Sequence, residues 1–289
     1  MNCKELTEEE HEDKGVTFSM RVHFGRFAKL MAIIFVVGVT AVAPIAQGQS
    51  YASQTAEAGA QLTNSAPVDL TITSEEIVAR MLARNHLRNE QLRRYSAVRT
   101  YEIRNLEGKL AAQAVVRVDY EAPDKKTFNK TSEKGSGIVR HLVFDRLMQS
   151  EGETSAGREH HDSAITTGNY AFTLAGEEEV GPYHCFVLEA LPKRKDKYLF
   201  EGKIWIDTED FAVVKIAGRP AKRPSFWINR ADFVRRYQRI DGFWLPCRDE
   251  TSVDMKMYGR RVFTVDHQQY VVDPANHLQA EKGDVGDPD

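Results

Sequence analysis

Two hydrophobic periods divide this chain. Between Thr73 and Tyr95 the apolar positions Ile77, Val78, Met81 and Leu82 recur at helical spacing, and Leu92 extends the stripe. Thr73 followed by Glu76 has the form of a capping box, which places the helix start there. The same helix carries Arg80, Arg84 and Arg88 at successive i, i+4 positions. That stripe suits a solvated helix face, or a surface for anionic headgroups or an acidic partner.

From Tyr95 the period falls to two. SAVRTYEIRN and KLAAQAVVRVDYEAP predict strands joined around Asn105 to Gly108, and KKTFNKTSE predicts a third. SGIVRHLVFDRLMQSE interrupts them. Its Ile138, Leu142, Val143, Leu147 and Met148 fit a helical face, so a second helix is expected between strands. Strand patterns then run from NYAFTLAGEEEV to RVFTVDHQQYVV, with Asp241-Gly242 a good hairpin signal. Sequential hairpins predict an α+β, mainly antiparallel β fold with a meander of about ten strands. A sheet of that size curls or partly closes.

Several of these strands are apolar on both faces. In YHCFVLEAL, Tyr183, Cys185 and Val187 face one way and His184, Phe186 and Leu188 the other. In KIWIDTEDFAVVKIAG, Ile204 and Ile206 oppose Trp205, while Ala212, Val214 and Ile216 oppose Phe211 and Val213. Both faces must be covered, either by packed protein or by a guest in a concave cavity. Met-lined walls adapt to irregular guests, and the mouths of β-barrels are common ligand sites. The cavity candidates are Phe172, Val187, Ile204, Ile206, Phe243, Leu245 and Met255. A register slip of one residue would exchange the faces.

The N-terminal region changes the picture. The 14 residues from Leu30 to Ala43 form an apolar run between the basic RVHFGRFAKL and the small residues of APIAQGQSYA. This is the layout of a secretory signal peptide, and the run is short for a bilayer span of about 20 residues. Residues 1–49 are therefore expected to be a signal region, with Met20 as the natural start because residues 1–19 are acidic. An uncleaved anchor is the alternative. Residues 50–72 read as a flexible leader, 73–272 as one domain and 273–289 as a loose acidic tail. Processing leaves Cys185 and Cys247, an even pair that either forms a disulfide or stays as two buried thiols. Net charge is −3 over 289 residues, which gives no argument for a nucleic-acid partner.

Catalytic signatures are absent from the sequence: no phosphate-binding loop, dinucleotide fingerprint, zinc-type cysteine pair, H-E-x-x-H or G-x-S-x-G occurs. His160-His161-Asp162 comes nearest to a metal or acid–base cluster. It lies in a polar, loop-like stretch, and adjacent residues make a poor chelate. No cofactor or metal is expected and no enzymatic activity; an exported hydrolase using these three residues is the least favoured reading.

The order of elements resembles a known family. A signal peptide precedes a helix of the EEIVARMLARNHLRNEQLRRYSAVRTYEI kind, then strands, an inserted helix, GKIWID with its hairpin, and a late DGFWLP. This is similar to the LolA-like periplasmic proteins, the outer-membrane lipoprotein-sorting or carrier group, over about residues 74–272. The resemblance implies a strongly curved half-open β-barrel with helices across its open side. It also implies a soluble periplasmic carrier, a monomer, that shields acyl chains of a lipoprotein or lipid. The same fold implies a second reading, an envelope-stress or interaction module that binds an envelope protein. The segment from Asn169 to Lys222 is more elaborate than in a minimal carrier, and no transporter-docking motif is present.

Overall fold

Thr73 starts the first helix. Its hydroxyl oxygen accepts a hydrogen bond from the Glu76 N–H at 3.2 Å, and its backbone is extended, as an N-cap requires. Helix α1 spans Ser74–Gln91 and buries Ile77, Val78 and Met81. Leu92 does not extend the stripe: its backbone is extended (φ −78°, ψ 103°) and it opens the first strand. The protein is described by a computed structural model, in which residues 72–123, 125–154, 164–196, 198–223, 226, 228–256 and 259–274 are described. The expected signal region and leader, most of the tail, and His160, His161 and Asp162 lie outside the described residues, as do the side chains of Ile138 and Leu142.

Strands β1 (Leu92–Asn105), β2 (Leu110–Glu121) and β3 (Lys125–Gly135) follow. The inserted helical segment then comes in three pieces: α2 (Gly137–Val139), a π-helical stretch (Arg140–Asp145) and α3 (Arg146–Thr154). Ser136 caps it, its hydroxyl accepting from the Val139 N–H at 3.4 Å. The remaining strands are β4 (Tyr170–Val180), β5 (Tyr183–Pro192), β6 (Phe200–Asp207), β7 (Val213–Pro220), β8 (Ile228–Ile240), β9 (Phe243–Met255) and β10 (Gly259–Pro274). The last strand thus takes in the first residues of the expected tail.

All ten strands form one antiparallel sheet in the order β3-β2-β1-β10-β9-β8-β7-β6-β5-β4. The meander is interrupted once, where β10 returns to pair with β1. Strands β3 and β4, which flank the inserted helices, are the two edges, so the barrel is not closed.

Curvature follows from what shares the core. A flat sheet of this order would be about 43 Å wide at ~4.8 Å per strand step. Yet side chains from every strand pack in or against one apolar cluster with α1 and the broken helical segment. Helix α1 also reaches the far edge, where the Ser74 hydroxyl donates to the Phe172 carbonyl at 3.4 Å. The sheet therefore curls into a half-barrel with the helices on its inner side. Two glycines permit a close approach in the bend. Gly202 pairs with Gly218, and a Cβ on Gly202 would lie 2.1 Å from the Ala217 carbonyl oxygen. At the β8–β9 turn, Asp241 (φ 48°) and Gly242 (φ 85°) are both left-handed, and Ile240 pairs with Phe243. This is the two-residue turn that Asp-Gly favours.

Candidate functional site: the interior of the half-barrel

The inner face of β5 to β7 is aliphatic and aromatic. Phe186 and Leu188 on β5 pair with Ile206 and Ile204 on β6, and Ile204 pairs in turn with Ile216 on β7. All five belong to the interior cluster with Ile77 and Met81 of α1 and Val143, Phe144, Leu147 and Met148 of the inserted segment. Phe172 and Met255 pack against the same cluster. Four of the seven cavity candidates, Phe172, Ile204, Ile206 and Met255, thus meet at the interior.

The other three do not, for reasons of register. Val187 pairs with Trp205, so it shares the outer face with that ring. Phe243 and Leu245 are displaced by a bulge: Arg236 pairs with Arg248 but Tyr237 pairs with Pro246, leaving Cys247 as the extra residue. They consequently pair with Ile240 and Gln238, on the face opposite Tyr237, and belong to neither side of the interior cluster. A second bulge corrects the β7 alternation. Trp205 pairs with Lys215 and Ile206 with Val213, so Val214 is the extra residue. Val213 therefore joins Ile216 inside, and Val214 goes outside.

The outer face of β5 to β7 is sealed by its own side chains. Cys185, Val187, Trp205 and Val214 form a small cluster flanked by Tyr183, Ala217 and Trp244. The Trp205 indole N–H donates to Glu178 Oε2 at 2.7 Å, and Lys215 Nζ lies 4.0 Å from the Trp205 ring centroid. Cys185 is a free, buried thiol, and burial pushes it up to about 12. The expected Cys185–Cys247 bridge is not formed. Strands β5 and β9 are four steps apart in the sheet, about 19 Å, whereas a disulfide needs Cα atoms about 4.4–6.8 Å apart.

The arginine stripe of α1 is divided, with Arg80 and Arg84 exposed and Arg88 half-buried. Arg88 donates to the Asp210 carbonyl in the β6–β7 turn, and burial lowers its pKa. Arg80 pairs with Glu76 and lies over the Phe211 ring, 5.1 Å from its centroid. Arg84 is exposed.

Across the other half of the interior runs a layer of buried charge that the sequence reading missed. Arg99 (β1), His267 (β10), Asp249 (β9) and Arg235 (β8) are all buried. Arg99 pairs across the ladder with His267. The Arg235 guanidinium donates twice to Asp249, with NH2 to Oδ2 at 2.9 Å. His267 Nε2 meets the same carboxylate at 2.9 Å. From above, Glu151 of α3 accepts from Arg99 NH1 at 2.7 Å and from Lys126 Nζ of β3 at 2.8 Å. Burial opposes each of these charges. The Glu151 carboxylate outweighs it at Arg99, whose pKa stands well above the ordinary value. Arg99 and Lys126 outweigh it at Glu151, which is held well below the carboxylate range. Arg235 and His267 hold Asp249 down at about 2. Burial prevails at His267, helped by Arg99 and Arg235, and its pKa is lowered.

A signal for this layer exists in the sequence. Arg99 is in phase with Tyr101 and Ile103, Arg235 with Phe233 and Tyr237, and His267 with Val265 and Phe263. Charges that fall on the apolar phase of a strand are the positions to suspect. Among the described residues no group of three or more acidic, cysteine or histidine side chains could hold a metal ion. No helix among them is long and apolar enough to cross a membrane.

No family model and no curated protein matches this chain. Solved structures do. An outer membrane lipoprotein-sorting protein domain from Vibrio parahaemolyticus is 12% identical, with 71% of this chain and 97% of that chain covered and a TM-score of 0.40. A DUF1329 family protein from Desulfovibrio piger is 14% identical, with 70% and 94% covered and a TM-score of 0.38. A LolA superfamily protein from Nitrosomonas europaea is 12% identical, with 70% and 94% covered and a TM-score of 0.32. The group that the sequence motifs resemble is thus represented among the structures similar to this chain.

Proposed function

We propose that this chain is an exported periplasmic binding protein that shelters acyl chains of a lipid or lipoprotein inside its half-barrel. The observation that supports it best is the composition of the interior cluster. One continuous apolar surface spans the sheet, and its cover is α1 and a helical segment broken at a π-turn. The cover is held largely by side chains such as Met81, Val143, Phe144, Leu147 and Met148. An acyl chain offers the sheet the same kind of contact. Each buried CH₂ contributes about 0.8 kcal/mol, so a chain of 14 gains roughly 11 kcal/mol before ordering costs. Such a guest needs no catalytic group.

Native mass spectrometry with organic extraction tests this on protein purified from the periplasm without detergent. A bound mass that extracts as lipid or acylated peptide is expected, and Ile206→Asp should abolish it. A clean apo mass with no uptake of added phospholipid or lipopeptide would overturn the reading and turn the search to a protein partner.

A further inference from the structure

Among the described residues, the ion pairs of the buried layer set two carboxylates, Glu151 and Asp249, beside three cations. Around Glu151, one carboxylate serves two cations, Arg99 and Lys126, while Arg235 and Asp249 match each other. An interior cation without a full counter-charge is costly, and natural interiors seldom leave one.

Two polar atoms in the same place are also unsatisfied. Arg99 Nε and His267 Nδ1 are buried without a hydrogen-bond partner. Arg99 and His267 are each 3% exposed. They belong to directly paired positions of β1 and β10, on the face that lines the interior. Buried polar atoms are normally paired, so two orphans at adjacent positions call for a ligand or a solvent molecule. Their chemistry is specific. Arg99 Nε–H is a charged donor. His267 Nε2 is engaged with Asp249, so the ring presents a second donor at Nδ1 once it takes up a proton.

We propose that Arg99 and His267 form an anion subsite for the acidic head of the guest, a carboxylate or phosphate, whose chain lies along the apolar strands beside it. This rests on the acyl-binding reading and adds the ligand's head to it. The polar layer is continuous with the aliphatic interior: Tyr101 and Val265, in the apolar cluster, pair with one another and stand two residues from Arg99 and His267. A bound anion sits against Arg99 Nε and His267 Nδ1 and satisfies both atoms. The groups facing His267 are Asp249, Arg99 and Arg235, and the two arginines oppose its second proton. An anion between Arg99 and His267 offsets that opposition, so binding brings proton uptake at His267.

The test compares three probes on the full mature chain: palmitate, monopalmitoylglycerol and inorganic phosphate. Binding is followed by native mass spectrometry and titration, and the His267 ring by nitrogen NMR assigned with His267→Gln. Palmitate should bind at least tenfold more tightly than monopalmitoylglycerol, move His267 Nδ1 to the protonated range, and lose its advantage in His267→Gln. Phosphate that alone shifts His267 would support the subsite and name a soluble anion as its source. Equal binding of the two acyl probes with His267 unmoved would overturn the subsite and leave acyl binding standing. Failure of all three to bind would overturn both, and a water would then satisfy the two atoms. Arg99→Met is a second variant; because it also removes one of the two cationic partners of Glu151, its folding is checked first, and His267→Gln decides if it does not fold.

Discussion

The two halves of the interior are built on different chemistry. Strands β5 to β7 line it with Phe186, Leu188, Ile204, Ile206 and Ile216, which only exclude water. Strands β1, β8, β9 and β10 place Arg99, Arg235, Asp249 and His267 at the same depth. Each half is covered by helix, but the cover is attached differently. Over the apolar half, Ile77 and Met81 of α1 make non-directional contacts that another apolar body can replace. Over the charged half, Glu151 of α3 is fixed by two directed ion pairs. The difference teaches where a guest can enter and where it can be recognised. Under the proposed acyl-binding function, chain length is accommodated on the apolar side and polarity is read on the charged side.

Glu151→Leu should break the contrast most. It leaves Arg99 and Lys126 facing no carboxylate, and loss of one partner of a buried pair costs about 3–5 kcal/mol. Urea unfolding checks it, and the Arg99→Met/Glu151→Leu double variant should recover most of the loss. Next comes the apolar half. Ile206→Ala should cost about 2–4 kcal/mol through lost burial and a cavity, with an unchanged pH profile. A third effect belongs to the charged half alone. His267 is held neutral by burial, so the unfolded state binds more protons as pH falls below about 6.5. Unfolding free energy should then decrease on acidification, by at most ~1.4 kcal/mol per pH unit, and His267→Gln should flatten that slope. Asp249 is depressed to about 2, so its contribution is present above the ordinary aspartate value of 3.8 and is lost as pH falls through about 2. The smallest change lies outside both halves. Lys215→Ala removes the cation over Trp205 and should cost about 0.5–1 kcal/mol without affecting ligand uptake.

Much of the apolar half was legible in the sequence. Ile204 and Ile206 against Trp205 is a plain alternation, and outside that half Asp241-Gly242 marks the β8–β9 turn by backbone preference. Most of the departures come from bulges. Bulges at Val214 and Cys247 each add a single residue, and one residue reverses a face. Nothing in VVK or PCR marks a bulge, so Val214, Phe243 and Leu245 lie on the face opposite to the one plain alternation gives, while Val187 is placed by the β5–β6 register, beside Trp205. The charged half was hidden differently. Arg235, Asp249 and His267 meet across the consecutive strands β8, β9 and β10, but Arg99 and with it Glu151 join them only through the return of β10 to β1, a long-range pairing that no local pattern encodes. Their phase was readable, but what they face was not.

The most direct test of the account is a photo-crosslink with a diazirine-bearing C16 acyl probe, mapped by peptide mass spectrometry. Adducts on the inner face of β5 and β6, at Phe186, Leu188, Ile204 or Ile206, are the predicted result. Adducts confined to the outer cluster of Val187, Trp205 and Val214, or none at saturating probe, would contradict it.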